Sequence, residues 1–511
     1  MDMTGRVYLV GAGPGDARLI TLKGLDCIEK GDVIVYDRLA NPSLLRKAKP
    51  GAEKIYVGKR TDRHTMKQED ISRLLVDLAL AGKTVVRLKG GDPTVFGRGG
   101  EEAELLRKHG IPYEIVPGIT AAISVPAYAG IPVTHRDLAS SVSIIAGHES
   151  PDKLDLSINW EKVTNATGTL VFMMGVANIG YISKQLIAHG RPPETPVALV
   201  RWGTRAEQET LTGTLADIEQ KVLDSGFKRR VTVVGEVVNQ REQLLWAEAM
   251  PLFGKRILVT RSRSQASDLV RGIEELGGEP YEFPVIQISM PSGAALERTD
   301  EALSRLETYD WAFFTSVNGV DYFFKHLERL GKDIRALYKA IAAVGGHAGA
   351  LRERGIAAEE LPGRFQAEPC WKRTARSLCP AKAYCCRTGI LPGRGCRSCA
   401  IKGWPSPRRS CMRRVPAGEK DEELIKLLEK GRIHAVTFTS SSTVTHLLAA
   451  LSGMGVRPVA ALRGREIACI GPVTARTAEE AGLRVSILAK EATIPSLIEA
   501  LCDWKERGAS V

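Results

Sequence analysis

Short apolar, β-branched runs alternate with amphipathic stretches through the first 245 residues, a pattern that predicts an α/β domain with a largely parallel sheet. The runs predict strands over 6–10, 33–36, 84–88, 113–116, 142–146, 169–173, 197–200 and 231–234. Helical spacing of apolar positions predicts helices over 19–29, 68–81, 101–109 and 119–129. Gly130-Ile131-Pro132-Val133-Thr134 interrupts both periods and predicts a hinge between subdomains of about 1–133 and 134–245. A second start follows Gly254, with a strand over 255–261 and a helix running to 276. Another α/β unit extends to about 361, and a third set of elements covers 419–501. The main domain boundary is expected at 250–254.

Residues 367–416 carry neither period, and composition singles them out. The chain has a formal charge of +12, yet twelve basic residues and one acid fall in this segment, and the remainder holds 59 bases against 58 acids. The excess charge is therefore local, and no polyanion-binding face and no nucleic-acid partner are expected. Seven of the ten cysteines also fall there (Cys370, Cys379, Cys385, Cys386, Cys396, Cys399 and Cys411). The sparse cysteines elsewhere suit a reducing cytoplasm. Cys396 and Cys399 form a CxxC with no second pair and no histidine in the segment, so a zinc module is one reading, though its ligand set is incomplete. Out-of-frame translation is another. Read one base earlier with permitted codons, Cys385-Cys386-Arg387 gives Leu-Leu-Pro, Ile390-Leu391-Pro392-Gly393-Arg394 gives Asp-Ile-Ala-Arg-Glu, and Cys411-Met412-Arg413-Arg414 gives Val-Tyr-Glu-Thr. All three are ordinary α/β sequence, and two compensating indels around 367–416 are expected. No run approaches the roughly 18 apolar residues of a membrane helix, and no secretory leader is expected at residues 1–10.

Three glycine-rich loops carry the candidate chemistry of the first half. Gly11-Ala12-Gly13-Pro14-Gly15-Asp16 follows a strand and precedes a helix, and Asp37 ends the next strand. A dinucleotide site, and with it an oxidoreductase, is one reading, although Asp16 stands at the third glycine and Pro14 removes a donor. Lys89-Gly90-Gly91-Asp92-Pro93 leads through Val95 to Phe96-Gly97-Arg98-Gly99-Gly100, and Val116-Pro117-Gly118-Ile119-Thr120-Ala121-Ala122 is a strand-to-helix turn. Both belong at a crevice in an open sheet. Taken singly, Asp37 reads as a helix cap, Lys59 as a surface charge, and Met173 and Met174 as core filler. His64 and His135 have no metal-ligand spacing around them, and no metal site is expected.

In this order, the loops resemble the tetrapyrrole methylases, and within them the uroporphyrinogen-III C-methyltransferases, over about residues 5–245. The resemblance extends to Val35-Tyr36-Asp37-Arg38-Leu39, Val57-Gly58-Lys59-Arg60, Gly130-Ile131-Pro132-Val133-Thr134-His135-Arg136, Phe172-Met173-Met174-Gly175 and Gly203-Thr204. It implies S-adenosyl-L-methionine as methyl donor, folded in a cleft between two α/β subdomains. It implies cofactor contacts at Pro14, Gly90, Gly91, Asp92, Val95, Thr120, Ala121, Met174 and Gly203, with Asp37 as proton acceptor and Lys59 as acid. It implies methylation of uroporphyrinogen III at carbons 2 and 7 to precorrin-2, or of another corrin intermediate, and a homodimer formed by this half. The polycarboxylate substrate makes Arg38, Arg60, Arg98 and Arg136 its expected partners, because guanidinium pairs carboxylate in bidentate fashion.

In the second half, hydroxyls follow apolar strands at Thr315, Ser316 and Asn318, at Ser440 and Ser441, and at Thr474. Such turns bind anions without supplying a nucleophile, and as isolated motifs they are equally helix N-caps. Their order resembles uroporphyrinogen-III synthase, which implies cyclisation of hydroxymethylbilane and two α/β domains, here 254–283 with 417–511, and 284–416. Two departures stand out. Val344-Gly345-Gly346-His347-Ala348 lacks the family's hydroxyl, and Met412 stands where the family has tyrosine. The synthase half is expected to be poorly folded or inactive as written.

Overall fold

The structure, a computed structural model, describes residues 4–58, 66–147, 158–174, 178–227, 231–261, 263–306, 311–314, 317–333, 335, 340–344, 348–361, 384–386, 413–416 and 421–508. The chain divides into two compact units, Met1–Arg256 with Ile273–Glu279, and Ile257–Gly272 with Pro280–Val511.

Among the described residues, the first unit holds ten strands in two sheets. One sheet comprises β1 (Arg6–Gly11), β2 (Val33–Tyr36), β3 (Glu53–Tyr56), β4 (Thr84–Lys89) and β5 (Tyr113–Val116), in the order β3-β2-β4-β1-β5 with every pairing parallel. Successive residues face opposite sides of this sheet. Val7, Leu9, Val33, Val35 and Val85 enter one apolar cluster, while Val10, Ile34, Val86 and Leu88 enter another. Both faces are thus covered by helices, which is why the strands read as continuous apolar runs. Because all five run the same way, the loops after β2, β4, β1 and β5 emerge side by side along one edge.

The second sheet contains β6 (Val142–Ala146), β7 (Thr169–Met173), β8 (Pro196–Arg201), β9 (Glu209–Thr214) and β10 (Val231–Val234), ordered β6-β7-β10-β8-β9. Only β6 and β7 pair in parallel; β10 runs antiparallel to β7 and β8, and β9 antiparallel to β8. The expectation of a largely parallel sheet therefore holds for the first sheet and fails for this one. For β9 the reason is the loop of seven residues that joins it to β8, too short for a parallel crossover.

In the second unit, apart from Arg256 and Glu279, which belong to the first, β11 (Arg256–Val259), β12 (Glu279–Glu282), β19 (Ala435–Phe438), β20 (Glu466–Cys469) and β21 (Val485–Leu488) form a sheet ordered β12-β11-β19-β20-β21. β13 (Ile286–Ser289) pairs antiparallel with β18 (Arg413–Pro416). A third sheet, β16-β15-β14-β17, is built from β14 (Trp311–Phe314), β15 (Ala340–Val344), β16 (Glu359–Leu361) and β17 (Tyr384–Cys386). No helix among the described residues is long and apolar enough to cross a membrane.

Candidate functional site

Glycines let three loops of the first unit meet backbone to backbone. Gly13 and Gly91 exchange hydrogen bonds, Gly91 N donating to Gly13 O at 2.7 Å and Gly13 N to Gly91 O at 3.2 Å. A Cβ on Gly11 would stand 2.6 Å from Gly118 Cα and 2.7 Å from Gly91 O, closer than real side chains come. The second glycine of the first loop, which would face a pyrophosphate in a dinucleotide fold, thus gives its N–H to the β4 loop. The following helix Leu22–Lys30 starts well beyond it, capped by Thr21. The dinucleotide reading has no geometry here.

Asp92 joins the second loop to the third. Its Oδ2 accepts from Gly118 N at 2.9 Å, while Oδ1 accepts from Thr94 N at 2.7 Å and Thr94 Oγ1 at 2.5 Å. Burial pushes this carboxyl up, but the Thr94 hydroxyl and the backbone amides of Gly118, Thr94 and Val95 outweigh it and hold it below the usual carboxylate range. Its side chain is therefore committed to the loops. Thr120 caps the helix Ala121–Tyr128, accepting from Ala122 N.

Space remains beside Gly91. Its φ is +69°, and a Cβ built there would meet nothing nearer than Ala121 N and Thr120 Cα, both at 3.8 Å. Room for about a methyl group is therefore left beside Gly91 against Thr120 and Ala121, whereas a Cβ on Gly90 would stand 2.4 Å from Leu39 Cβ.

The loop after β8 in the second sheet reaches this region through Gly203 and Thr204. Met174 follows β7 at φ +61° and is half exposed; Trp202 and Thr204 follow β8 at φ +50° and +68°. With Phe96 and Arg98, these are the non-glycine residues in the left-handed region among the described residues, and each costs about 1–3 kcal/mol where it persists. Such strain gathers at binding sites. Gly203 lets the β8 loop close on Val125, whose Cγ1 a Cβ would meet at 2.5 Å. Thr204 Oγ1 accepts from Asp16 N at 2.9 Å, and Tyr128 donates its hydroxyl to Asp16 Oδ2 at 3.1 Å. Burial, and then the charge of Asp16, keep that hydroxyl protonated. The Arg38 guanidinium lies 5.9 Å from the centre of the Trp202 ring.

Asp37 follows β2 at the same edge. Its Oδ1 accepts from Leu39 N at 2.9 Å and its Oδ2 from Arg87 Nη2 at 3.3 Å. Arg87 was not singled out by its sequence, nor were Lys89 and Glu102 as members of a charge cluster. The signal was present, since Arg87 and Lys89 interrupt an apolar central strand where charge is rarely buried unpaired. Burial, and then the neighbouring Arg87, push the Lys89 ammonium below the ordinary lysine range, against the pull of Glu102.

Of the other expected substrate partners, Arg98 is exposed and pairs bidentately with Glu101, at 2.8 and 2.6 Å. Arg136 is exposed in a turn closed by the bridge between His135 and Ala139. Lys59, Arg60 and His64 lie outside the described residues, as do Thr315 and Ser316. In the second unit, Asn318 is buried in the first turn of the helix Val317–Arg329. Ser440 caps the helix Ser441–Gly453 in a capping box with Thr443. Ser441 Oγ accepts from Thr477 Oγ1 at 2.8 Å, and Thr474 is buried in the neighbouring helix Pro472–Glu480. Ser440, Ser441 and Thr474 thus lie at the starts of helices that follow the adjacent parallel strands β19 and β20.

The family profile of tetrapyrrole (corrin/porphyrin) methylases matches residues 6–219. That of uroporphyrinogen-III synthase HemD matches 267–387 and 400–499, and its break lies inside the Cys- and Arg-rich segment. A porphyrin biosynthesis protein HemD of Ruminiclostridium josui is 37% identical over 98% of this chain and 98% of its own. A uroporphyrinogen-III C-methyltransferase of Priestia megaterium is 54% identical over 46% of this chain and 99% of its own. The crystal structure of uroporphyrin-III C-methyl transferase from Thermus thermophilus, complexed with S-adenyl homocysteine, is 40% identical, with a TM-score of 0.40 and coverage of 46% of this chain and 99% of its own. The chain belongs to the tetrapyrrole methylases through its first half, joined in one polypeptide to a region of the uroporphyrinogen-III synthase HemD family.

Proposed function

We propose that the first half transfers two methyl groups from S-adenosyl-L-methionine to uroporphyrinogen III, at carbons 2 and 7, giving precorrin-2 for sirohaem and cobalamin synthesis. The observation that carries this reading is the meeting of the Gly11, Gly91 and Gly118 loops beside Asp37, with room left beside Gly91 against Thr120 and Ala121. Pro14, Gly90, Gly91, Val95, Thr120, Ala121, Met174 and Gly203 would hold the donor; Asp92 contributes by fixing two of these loops to each other. When bound, the sulfonium supplies a methyl group already activated for transfer. Alignment of the substrate carbon with that methyl is then the chief task of the loops. Methyl addition leaves a cationic macrocycle, which loses a proton when a C–H bond breaks and its electron pair returns to the ring. Asp37 accepts that proton, and Lys59 acts as acid. Arg38, Arg60, Arg98 and Arg136 pair the substrate carboxylates; the exposed Arg98–Glu101 pair is weak enough to exchange partners.

The second half descends from a synthase that cyclises hydroxymethylbilane. Thr315, Ser316, Asn318, Ser440, Ser441 and Thr474 line its substrate side, in domains 254–283 with 417–511, and 284–416. The enzyme works in the cytoplasm as a homodimer formed by the methylase half. Incubating the full chain with uroporphyrinogen III and methyl-labelled S-adenosylmethionine tests the first activity. Two labels on each product tetrapyrrole are expected; a product without label overturns the reading.

A further inference from the structure

A run of buried charge crosses the sheet behind Asp37. Arg87, 4% exposed, lies in β4 opposite Leu9 of β1 and Val35 of β2. Its Nη2 donates to Asp37 Oδ2 at 3.3 Å, its Nη1 to Leu88 O at 3.0 Å, and its Nε to Glu102 Oε1 at 3.4 Å. Glu102, on the helix Gly99–Lys108, is fully buried, and the same Oε1 accepts from Lys89 Nζ at 2.7 Å and Gln68 Nε2 at 2.8 Å. Its Oε2 has no hydrogen-bond partner among the described residues. Two cations and two anions balance, but apolar side chains at these positions would serve stability as well or better. Asp37 alone of the four reaches solvent, at 24% exposure, and it does so at the edge where the glycine loops meet.

We infer that Arg87 and Glu102 are positioning residues for the methyl-transfer reaction, holding the Asp37 carboxylate oriented for the proton it takes from the methylated ring. The inference rests on Asp37 as proton acceptor. Leu39 N fixes one carboxylate oxygen and Arg87 the other, so the plane of the carboxylate is set before substrate arrives. Glu102 in turn sets Arg87, and Lys89 balances Glu102. Arg98 interacts electrostatically with Glu102 and Glu101 with Lys89, while Lys59 and Arg60, on the chain after β3, lie outside the described residues.

The test is kcat of methylation by the full chain, with calorimetric binding of S-adenosylmethionine as the control for folding. Asp37→Asn is expected to lower kcat by about 10²–10⁴-fold. Arg87→Met should lower kcat about tenfold or more and leave cofactor affinity unchanged. Arg87→Lys should recover part of kcat. Glu102→Gln takes from Arg87 the charge that sets it and should also lower kcat at unchanged cofactor affinity, which remains readable if Arg87→Met fails to bind cofactor. Asp37→Asn with Arg87→Met should be no slower than Asp37→Asn alone. Wild-type kcat in Arg87→Met or Glu102→Gln, or full additivity in the double variant, overturns the inference while leaving Asp37 in its role. Full activity in Asp37→Asn instead removes the proton-acceptor reading itself.

Discussion

Gly118 and Gly91 separate two reasons for a glycine that look the same in sequence. A Cβ on Gly118 would stand 2.7 Å from Gly11 Cα and closer still to Gly91 O, backbone that has nowhere to move. Gly118→Ala is therefore expected to lower stability by about 1–3 kcal/mol and to weaken cofactor binding, read by thermal unfolding and by titration. Gly91→Ala has room for its methyl but must adopt φ +69° and fills the gap beside Thr120. Its main effect should fall on cofactor affinity, so a fall in unfolding temperature with unchanged affinity would contradict the placement of the donor there. Asp92 adds a pH signature. Its carboxyl titrates lower in the folded chain than the roughly 3.9 of an unfolded aspartate, so its stabilisation is present above that value and is lost as pH falls through its folded one. The stability difference between the native chain and Asp92→Asn should accordingly be flat near neutrality and shrink in acid below about pH 4.

At the level of elements, sequence reading succeeds where an apolar run is visible. The strands expected over 33–36, 169–173 and 231–234 coincide with β2, β7 and β10, which are buried on both faces, and those over 113–116 and 142–146 with the edge strands β5 and β6, which are only partly buried. It misses β3 and β9. Glu53-Lys54-Ile55-Tyr56 is an edge strand with exposed charges, and Glu209-Thr210-Leu211-Thr212-Gly213-Thr214 is partly exposed and polar, so neither shows an apolar run. The glycine loops were legible because glycine marks close approach. The Arg87–Glu102 cluster was not, because periodicity says only that a charge is buried and never names its partner. The same limit hid Arg256 of β11, almost fully buried, which pairs with Glu207 at 2.6 Å and Glu279 at 2.9 Å. Burial pushes the Glu279 carboxyl up, but Arg205 and Arg256 outweigh it and hold it at about 2. Against about 4.3 unfolded, Glu279 stabilises fully above that value and loses its contribution as pH falls towards 2. Arg256→Met should cost about 3 kcal/mol in denaturant unfolding at neutral pH, because it takes Arg256 from Glu207 and leaves Glu279 with Arg205 alone. It should cost less in acid.

Across the whole molecule, the two halves differ in how completely their sequences support a core. In the first unit, both faces of each sheet are filled by apolar clusters drawn from every quarter of its sequence. In the second, the sheet holding β11, β19 and β20 has such a cluster, centred on Leu258, Val436, Phe438 and Ile467. The sheet holding β14 and β15 takes its fourth strand, β17, from Tyr384-Cys385-Cys386, and β18 begins with two arginines. The remainder of 367–416 lies outside the described residues. Read one base earlier, the chain would place Leu-Leu at the end of β17 and Glu-Thr at the start of β18, with tyrosine at position 412. The gene should then carry compensating indels near both ends of these fifty codons. The chain as it stands should methylate uroporphyrinogen III while leaving hydroxymethylbilane uncyclised, and a frame-restored chain should do both. An in-frame gene whose fifty codons vary among close relatives mainly at synonymous sites, or brisk cyclisation by the chain as it stands, would show instead that the segment is a genuine insert which the synthase fold accommodates.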